Sequence, residues 1–297
     1  GTDFDARQVA RNALNAGNDM LYLGNIIADG DADTYTTVVR IIDNFVQKYN
    51  EDNAFRTRVD QAAVNILMLK LKLYPNLTEA GVLPKADQLT AVGQHQSQVS
   101  NIMQEAATLI SPVQQDLSAV LPNPPGSNDN IVIISDSITY AQCSDCETQT
   151  MNPGISLMNS LIRLYGSSSG DPIYGATLQA FTFETLRLVL EKATGGEDMQ
   201  VMLNSSTWII FAFTDFSSNQ MAITQFRRLF DERPDLVKNK KIVGLAFNEP
   251  YALDATDISK FSAYYALYSK ISDAYDIASR VLLQELTPGG KLPVSVP

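Results

Sequence analysis

Two acidic side chains and a serine follow apolar runs that are typical of buried strands. Asp136 and Ser137 come after Ile131–Ile134, and Asp215 comes after Trp208–Phe213. Because ligands of open parallel sheets collect at the carboxyl ends of the strands, these side chains could line a binding site. Asp and Ser at such positions also cap the next helix or its approach loop, and we favour this structural interpretation.

A further carboxylate, Glu249, stands in the segment Asn248–Tyr251 after a third apolar run. Paired with Asp215, it could act as one of two catalytic carboxylates, an acid and a base at a fixed separation. No spacing in the sequence sets the distance between these two groups. We therefore infer no catalytic pair from the sequence.

The only two cysteines, Cys143 and Cys146, form a C-x-x-C pair. Such a pair can be a redox dithiol, half of a zinc site or a small local disulfide. Zinc needs two further ligands, and the only histidine, His95, lies far away in a helical pattern. The surrounding segment is polar and typical of a loop, which disfavours a redox thiolate at a helix N-terminus. A structural disulfide or two inert thiols is the preferred interpretation, and we expect no metal and no cofactor.

Composition and missing motifs exclude several function classes. The sequence lacks the phosphate-binding P-loop, a G-x-G-x-x-G after the first strand of the sheet, the G-x-S-x-G elbow and H-E-x-x-H. One histidine makes a serine triad improbable. With 33 acidic and 22 basic residues, the formal charge of -11 disfavours nucleic acid as a partner.

Neither a membrane span nor a signal peptide is indicated. No apolar run approaches the roughly 20 residues that cross a bilayer. The first residues lack the basic and apolar regions of a signal peptide, but a chain that starts with Gly1 suggests a processed or engineered end. Localisation stays open, with an extracytoplasmic or secreted protein as the preferred hypothesis.

The first 120 residues predict a mainly helical region with one short strand. Apolar residues recur at i, i+3, i+4 and i+7 in several segments, which is typical of helices with one buried face. The predicted elements are a helix over 3–16, a strand over Met20–Leu23, a helix capped by Thr34, a helix capped by Asp52 and ended by Pro75, and helical stretches over 86–110 and 113–120.

The sharpest boundary is the proline-rich segment 121–130, and an α/β pattern follows it. Continuously apolar runs alternate with helical patterns, which predicts a parallel sheet covered by helices on both faces. The predicted strands are Ile131–Ile134, Ala176–Phe181, Trp208–Phe213 and Ile242–Phe247, and the predicted helices cover 182–193, 220–232, 258–268 and 274–286. Tyr264, Tyr265 and Tyr268 have helical spacing within this pattern and are expected in a core or an interface.

Two segments near the N-terminus resemble family 3 glycoside hydrolases. The run A-L-N-A-G-N-D-M-L-Y-L-G-N over Ala13–Asn25 looks like the family's A-L-x-A-G-x-D-M-x-L segment, which leads into the last barrel strand. The helix over Val59–Leu73 is similar to the family's V-x-R-I-L-x-L-K helix, although Asn65 replaces the usual arginine. The A-L-N-A-G-N-D-M form favours the β-N-acetylhexosaminidase branch over the β-glucosidases.

The C-terminus carries the most specific part of this resemblance. Pro250-Tyr251 follows an apolar strand, Tyr268-Ser269 falls within a predicted helix, and the chain ends in P-G-G-K-L-P-V-S-V-P over Pro288–Pro297. The resemblance covers nearly the whole chain and is weakest over 143–205.

The resemblance implies an α/β fold in three parts. Residues 1–80 would be the end of a (β/α)8-type barrel, contributing helices and one strand, and 81–126 a helical linker. Residues 127–297 would form a doubly wound, mostly parallel α/β sandwich. Without the remaining barrel, the apolar faces in 1–80 lack a partner, so we expect them to pack on the α/β domain, to pair across a homodimer or to be largely disordered.

The resemblance also implies a function, and it implies that the chemistry is incomplete here. Family members remove terminal β-linked sugars by retaining hydrolysis, with a carboxylate nucleophile and a separate acid/base. Their nucleophilic aspartate, and the histidine loop of the hexosaminidase branch, would lie upstream of Gly1; His95 matches a linker position. We therefore expect no catalytic residue in this segment, and the expected partners are a carbohydrate and the upstream barrel. The alternative is a non-catalytic carbohydrate-binding or interaction module.

One substrate-contacting residue is expected from the barrel. Asn25 follows the predicted strand Met20–Leu23, and barrel active sites form at the C-terminal ends of strands, so Asn25 could contact the sugar at the rim. An ordinary turn residue is the alternative. Asp19, at the opposite end of that strand, is expected to be structural. Glu249 could lie at a domain interface.

Overall fold

The computed structural model describes residues 5–24, 26–141, 146–214 and 219–294. Contacts divide the chain into two compact units, Gly1–Gln94 and His95–Pro297. The division at residues 80 and 126 stays a prediction about the longer protein. Asn25, Cys143 and Asp215 lie outside the described residues.

The first unit is helical, and aspartates start its three long helices. Asp5, Asp33 and Asp52 each accept hydrogen bonds from backbone N–H groups of the first turn. Thr34, predicted as a cap, is instead the first helical residue, whereas Asp52 caps as predicted. The helices are α1 (Ala6–Asn15), α2 (Thr34–Glu51), α3 (Asn53–Leu73), α4 (Glu79–Val82) and a 3-10 helix (Ala86–Ala91).

Two small apolar clusters hold these helices together. One centres on Ala6, Ala10 and Ile41 and the other on Leu14, Phe55 and Ala62. Phe45 packs edge-on against Phe55, with ring centroids 5.3 Å apart. Helices α1, α2 and the first part of α3 thus share small apolar cores, which differs from the expectation of a largely disordered region, whereas the apolar side chains of α3 after Ala62 stay largely exposed.

The predicted strand Met20–Leu23 is not a strand. Its side chains alternate as in a strand, because Leu21 and Leu23 pack on the helical clusters while Met20 and Tyr22 are 72% and 97% exposed. A strand also needs a neighbour for its backbone hydrogen bonds, and the described part of this unit contains none.

The second unit is built on a six-stranded sheet. Its strands are β1 (Thr108–Ser111), β2 (Asn130–Ser135), β5 (Thr177–Thr182), β6 (Trp208–Phe213), β7 (Lys241–Ala246) and β8 (Ala263–Ala266), and β3 (Ile138–Tyr140) with β4 (Gln149–Met151) forms a separate hairpin. The strand order in the sheet is β1-β8-β7-β6-β2-β5. Five strands run parallel, and β1 pairs antiparallel with β8 at one edge.

Helices cover both faces of this sheet, so the predicted doubly wound α/β fold is confirmed. One apolar core includes α7 and α12, and the other includes α8, α9 and α10. The four predicted strands appear within one or two residues of their predicted bounds, and β6 is fully buried. The helices are α5 (Gln96–Ala106), α6 (Leu117–Val120), α7 (Pro153–Tyr165), α8 (Phe183–Glu191), α9 (Glu197–Ser205), α10 (Gln220–Glu232), α11 (Ala255–Ile258) and α12 (Ser272–Leu282), with a 3-10 helix at Pro234–Leu236.

The predicted helix over 258–268 is wrong. Only the short α11 and then strand β8 form here, and Tyr264 and Tyr265 point to opposite faces of the sheet, one into each core. Because successive side chains of a strand point to opposite faces of the sheet, each of the two adjacent tyrosines is buried in a different core. Tyr268 follows β8 in a left-handed backbone conformation, with φ at 56°, and is therefore not in a helix.

The predicted helix over 86–110 is also interrupted. Helix α5 ends at Ala106, and residues 108–111 form β1, which registers Thr108 opposite Ala266 and Leu109 opposite Tyr265. Pairing with β8 overrides the helical propensity of this short segment, so the sheet begins before the proline-rich boundary.

The C-terminal signature is fixed against the start of β1. Gly290 donates its backbone N–H to the carbonyl of Ala107 at 2.9 Å. A Cβ at Gly290 would lie 2.3 Å from the Ala106 carbonyl oxygen and 2.5 Å from Thr108 Oγ1. The second glycine of P-G-G-K-L-P therefore lies so close to the start of β1 that a residue with a Cβ atom would clash there.

Candidate functional site

The sheet has one topological switch point, between β2 and β6. From β2 the chain crosses through α7 to β5 on one side, and from β6 it crosses through α10 to β7 on the other. The two connections leave the carboxyl ends of these neighbouring strands in opposite directions. Open α/β sheets bind their ligands at such a point.

Asp136 lies at this switch point and has a structural role, although not the helix cap favoured from the sequence, since Asn152 caps α7. It follows β2, is 2% exposed, and its two carboxylate oxygens accept the backbone N–H of Thr214 at 2.9 and 3.1 Å. Thr214 follows β6, so the carboxylate bridges the two strand ends at the switch point. Ser137, the next residue, is exposed.

The start of α7 is anchored to the same edge. Ser135 Oγ donates to Asn152 Oδ1 at 3.0 Å, and this oxygen also accepts the Ile155 N–H at 3.0 Å as the cap of α7. The capped N-terminus of α7 is therefore held against the end of β2.

Two buried hydroxyls lie at this edge. Thr214 Oγ1 has no hydrogen-bond partner among the described residues, and the Tyr275 hydroxyl lies beside Ser156. The Tyr275 ring packs on Phe247, which follows β7, with centroids 4.5 Å apart. Burial raises the pKa of Tyr275, a hydrogen bond with Ser156 lowers it, and the nearby Asp136 raises it, with a net rise that keeps the phenol protonated.

Glu249 lies half-buried at the carboxyl end of β7. Its loop is anchored by Tyr264, whose hydroxyl donates to the Pro250 carbonyl at 3.1 Å. Burial and the neighbouring Glu249 raise the pKa of Tyr264. Because Asp215 lies outside the described residues, the distance between Glu249 and Asp215 stays untested.

Asp19 has the structural role expected for it. Its carboxylate accepts hydrogen bonds from Arg58 Nη2 at 2.9 Å and from Asn65 Nδ2 at 2.8 Å. These two bonds connect the segment after α1 to α3. Hydrogen bonds from Asn65 and Arg58 lower the pKa of Asp19. Asn65, the residue that departs from the family pattern, thus contacts this carboxylate.

The remaining candidates from the sequence are His95 and the two cysteines. His95 is exposed just before α5. Cys146 is disulfide-bonded, which favours the disulfide among the interpretations of the C-x-x-C pair, and Cys143 lies outside the described residues. Across the described ranges, no three His, Cys, Asp or Glu residues cluster as a metal site would need.

Sequence reasoning missed Thr214 and Tyr275. Tyr275 falls in a correctly predicted helix, where an aromatic residue at an apolar spacing indicates core. No motif marks either hydroxyl, and their relation to Asp136 depends on strand order, which the sequence pattern did not specify.

Solved structures of sugar-acting enzymes share this fold over nearly the whole chain. A fungal multi-domain family 3 β-N-acetylglucosaminidase with a GCN5-related glucosamine N-acetyltransferase region matches 98% of the chain at 18% identity and TM-score 0.54. The β-glucoside phosphorylase BglX matches 98% at 18% identity and TM-score 0.52. A family 3 β-N-acetylglucosaminidase from Paenibacillus sp. matches 97% at 12% identity and TM-score 0.51.

At these identities the comparisons establish the fold, and the resemblance to family 3 glycoside hydrolases is confirmed at that level. The chain spans 28%, 46% and 48% of the lengths of these three structures. No protein-family model matches the sequence, and no curated protein matches it. None of the helices in the described part of the chain is long and apolar enough to cross a membrane.

Proposed function

We propose that this chain is the C-terminal part of a retaining glycoside hydrolase of the family 3 type, which removes terminal β-linked N-acetylhexosamine or glucose. The observation that carries the proposal is the fold shared over 97–98% of the chain with enzymes named for these sugars, each more than twice as long. The motifs at Ala13–Asn25 and Pro288–Pro297 support the same assignment.

In this proposal the segment supports catalysis and does not carry the nucleophile. Retaining hydrolysis needs a carboxylate that attacks the anomeric carbon. Asp136 is unsuited to that role because it is buried and hydrogen-bonded to the Thr214 backbone N–H. The nucleophile would come from the upstream barrel, Asn25 would contact the sugar at the barrel rim, and Glu249 would lie at the interface with the barrel.

The experiment is an assay of the chain extended upstream through the complete barrel. It is given 4-nitrophenyl β-N-acetylglucosaminide and 4-nitrophenyl β-glucoside, and the anomer released first is identified by proton NMR. We expect hydrolysis with initial release of the β-anomer, and the better substrate identifies the sugar branch. Initial release of the α-anomer, or no cleavage of either substrate, would count against the proposal.

The second candidate is a non-catalytic carbohydrate-binding or interaction module. The observation that favours it is the set of departures at the sequence level: Asn65 in place of arginine, and no match to any family model. An extended chain that binds an N-acetylglucosamine oligomer in calorimetry but cleaves neither substrate would support this second function.

A further inference from the structure

A small cleft of about 240 Å³ lies between helix α6, the C-terminal end of α12 and the segment that follows α12. All of its lining residues belong to the second compact unit. The volume is below the roughly 300–1,000 Å³ of clefts that hold drug-sized ligands. The cleft therefore suits a ligand of one small ring.

The lining of this cleft is polar without being charged. Within the described part of the chain, none of the lining residues is Asp, Glu, Lys, Arg or His. Glu285, which follows the lining residue Gln284, accepts a hydrogen bond from Tyr165 instead. Because a charge is costly to bury without a counter-charge, the cleft disfavours ionic ligands. Leucine, valine and proline side chains supply its apolar surface, and its polar side chains are Gln114, Ser118, Tyr265, Gln284 and Thr287.

The inner wall carries a hydroxyl that the protein leaves without a hydrogen bond. Tyr265 lies on β8, is 3% exposed and packs in the core beneath α12, so it reaches the cleft with its hydroxyl end. Among the described residues no donor, acceptor or charge acts on this hydroxyl, and burial alone raises the pKa of Tyr265 to about 12. Because polar groups of buried side chains normally have a partner, this protonated phenol indicates a place for a ligand in the cleft.

Hydrogen bonds fix the opposite wall of the cleft, which is formed by residues 117–122. Gln284 Nε2 donates to the Leu121 carbonyl at 2.9 Å, and Lys241 Nζ donates to the Val120 carbonyl at 2.8 Å. Gln284 has a left-handed backbone conformation, with φ at 58°, which glycine adopts at lower cost. A glycine would lack the amide that joins the end of α12 to Leu121. Because this wall is already ordered, a ligand loses little affinity to ordering it.

We propose that this cleft binds a neutral monosaccharide, with the Tyr265 hydroxyl as the buried hydrogen-bond partner of one sugar hydroxyl. A pyranose ring carries uncharged hydroxyl groups around its edge and apolar C–H groups on its faces. Glutamine amides and side-chain hydroxyls both donate and accept hydrogen bonds, as sugar hydroxyls require. The choice of glucose and N-acetylglucosamine as the sugars to test rests on the proposed function, whereas the site itself is inferred from its lining.

The test titrates this chain with glucose and with N-acetylglucosamine and follows backbone amide shifts by two-dimensional NMR. We expect saturable shifts at Ser118, Gln284 and Thr287. Tighter binding of N-acetylglucosamine identifies an acetamido sugar, and equal or tighter binding of glucose identifies a plain hexose. Because binding is measured without hydrolysis, the result does not depend on whether the extended chain cleaves a glycoside.

Three variants locate the sugar in the cleft. Tyr265→Phe keeps the ring in the core and removes only the hydroxyl, so affinity should fall by about threefold to tenfold. Its melting temperature should match that of the wild type, because the hydroxyl has no partner in the described part of the protein. Ser118→Trp fills the cleft and should abolish binding, whereas Ala119→Trp, an exposed change on the same helix outside the lining, should leave affinity unchanged.

Several outcomes would overturn the proposal. These are the absence of saturable shifts with both sugars, wild-type affinity in Tyr265→Phe, and an equal loss of affinity in Ser118→Trp and Ala119→Trp. Glucuronate or glucosamine binding as tightly as the neutral sugars would contradict the assignment of an uncharged ligand.

Discussion

At the scale of single residues, three acidic side chains form hydrogen bonds or ion pairs that hold separate parts of the chain together. Asp136 joins two strand ends, Asp19 joins α1 to α3, and Asp257 accepts both Arg227 and Lys260. Of these three, only Asp136 was a candidate for lining a binding site in the sequence. The hydrogen bonds show that backbone and cationic donors already occupy these carboxylates.

Replacing Asp136 tests its bridging role. Asp136→Ala leaves the buried Thr214 N–H without its acceptor, so we expect the free energy of unfolding to fall by about 1–3 kcal/mol in urea denaturation. Asp136→Asn retains one carbonyl oxygen and should lose less. Equal stability of the wild type and Asp136→Ala would contradict the structural assignment.

The ion pairs of Asp257 predict a dependence of stability on pH. Burial tends to raise the pKa of this 3% exposed carboxyl, but hydrogen bonds from Arg227 and Lys260 outweigh it and hold the pKa below its ordinary 3.8. A depressed pKa in the folded state contributes stability that is present above 3.8 and is lost as pH falls through the folded value.

We therefore expect the stability difference between the wild type and Asp257→Asn to stay constant at neutral pH and to shrink in acid below pH 3.8. The measurement is chemical denaturation across this range. Asp231→Asn, an exposed change on the same helix as Arg227, is the control and should show no such narrowing. A difference that is unchanged in acid would refute this account of Asp257.

At the scale of elements, strands that are buried on both faces of the sheet were predicted correctly, whereas the segments 20–23 and 263–266 were not. The strands at 131–134, 208–213 and 242–247 are buried on both faces, so an unbroken apolar run identifies them. The composition of the segment 263–266 is compatible with a helix. It forms a strand because it pairs with β1 on one side and with β7 on the other. Met20–Leu23 is the converse case, a strand pattern without a neighbouring strand.

The close approach at the C-terminal signature gives a prediction for one element. Gly290→Ala places a Cβ 2.3 Å from the Ala106 carbonyl oxygen, so the tail must move away from β1 and stability should fall by about 1–3 kcal/mol. Gly289→Ala meets nothing within 4 Å and serves as the matched control. Similar melting temperatures for the two variants would show that the tail is not fixed there.

At the scale of the whole molecule, the sequence predicted the α/β class and its parallel sheet, but not the position of the candidate site. Asp136 was recognised as a residue at a strand end. Its partner Thr214 and the buried Tyr275 depend on the order β6-β2 and on α12 packing over β7, and these are properties of tertiary topology. Asn25, the one substrate-contacting residue expected from the sequence, stays a prediction.

The whole-molecule account depends on the proposal that the nucleophilic carboxylate belongs to an upstream barrel. Hydrolysis of the two 4-nitrophenyl glycosides is measured for this chain alone and for the same chain extended through that barrel. We predict cleavage only by the extended chain, because retaining hydrolysis needs that carboxylate. Cleavage by this chain alone would contradict the account, and Asp215 and Glu249 would then be the first residues to replace.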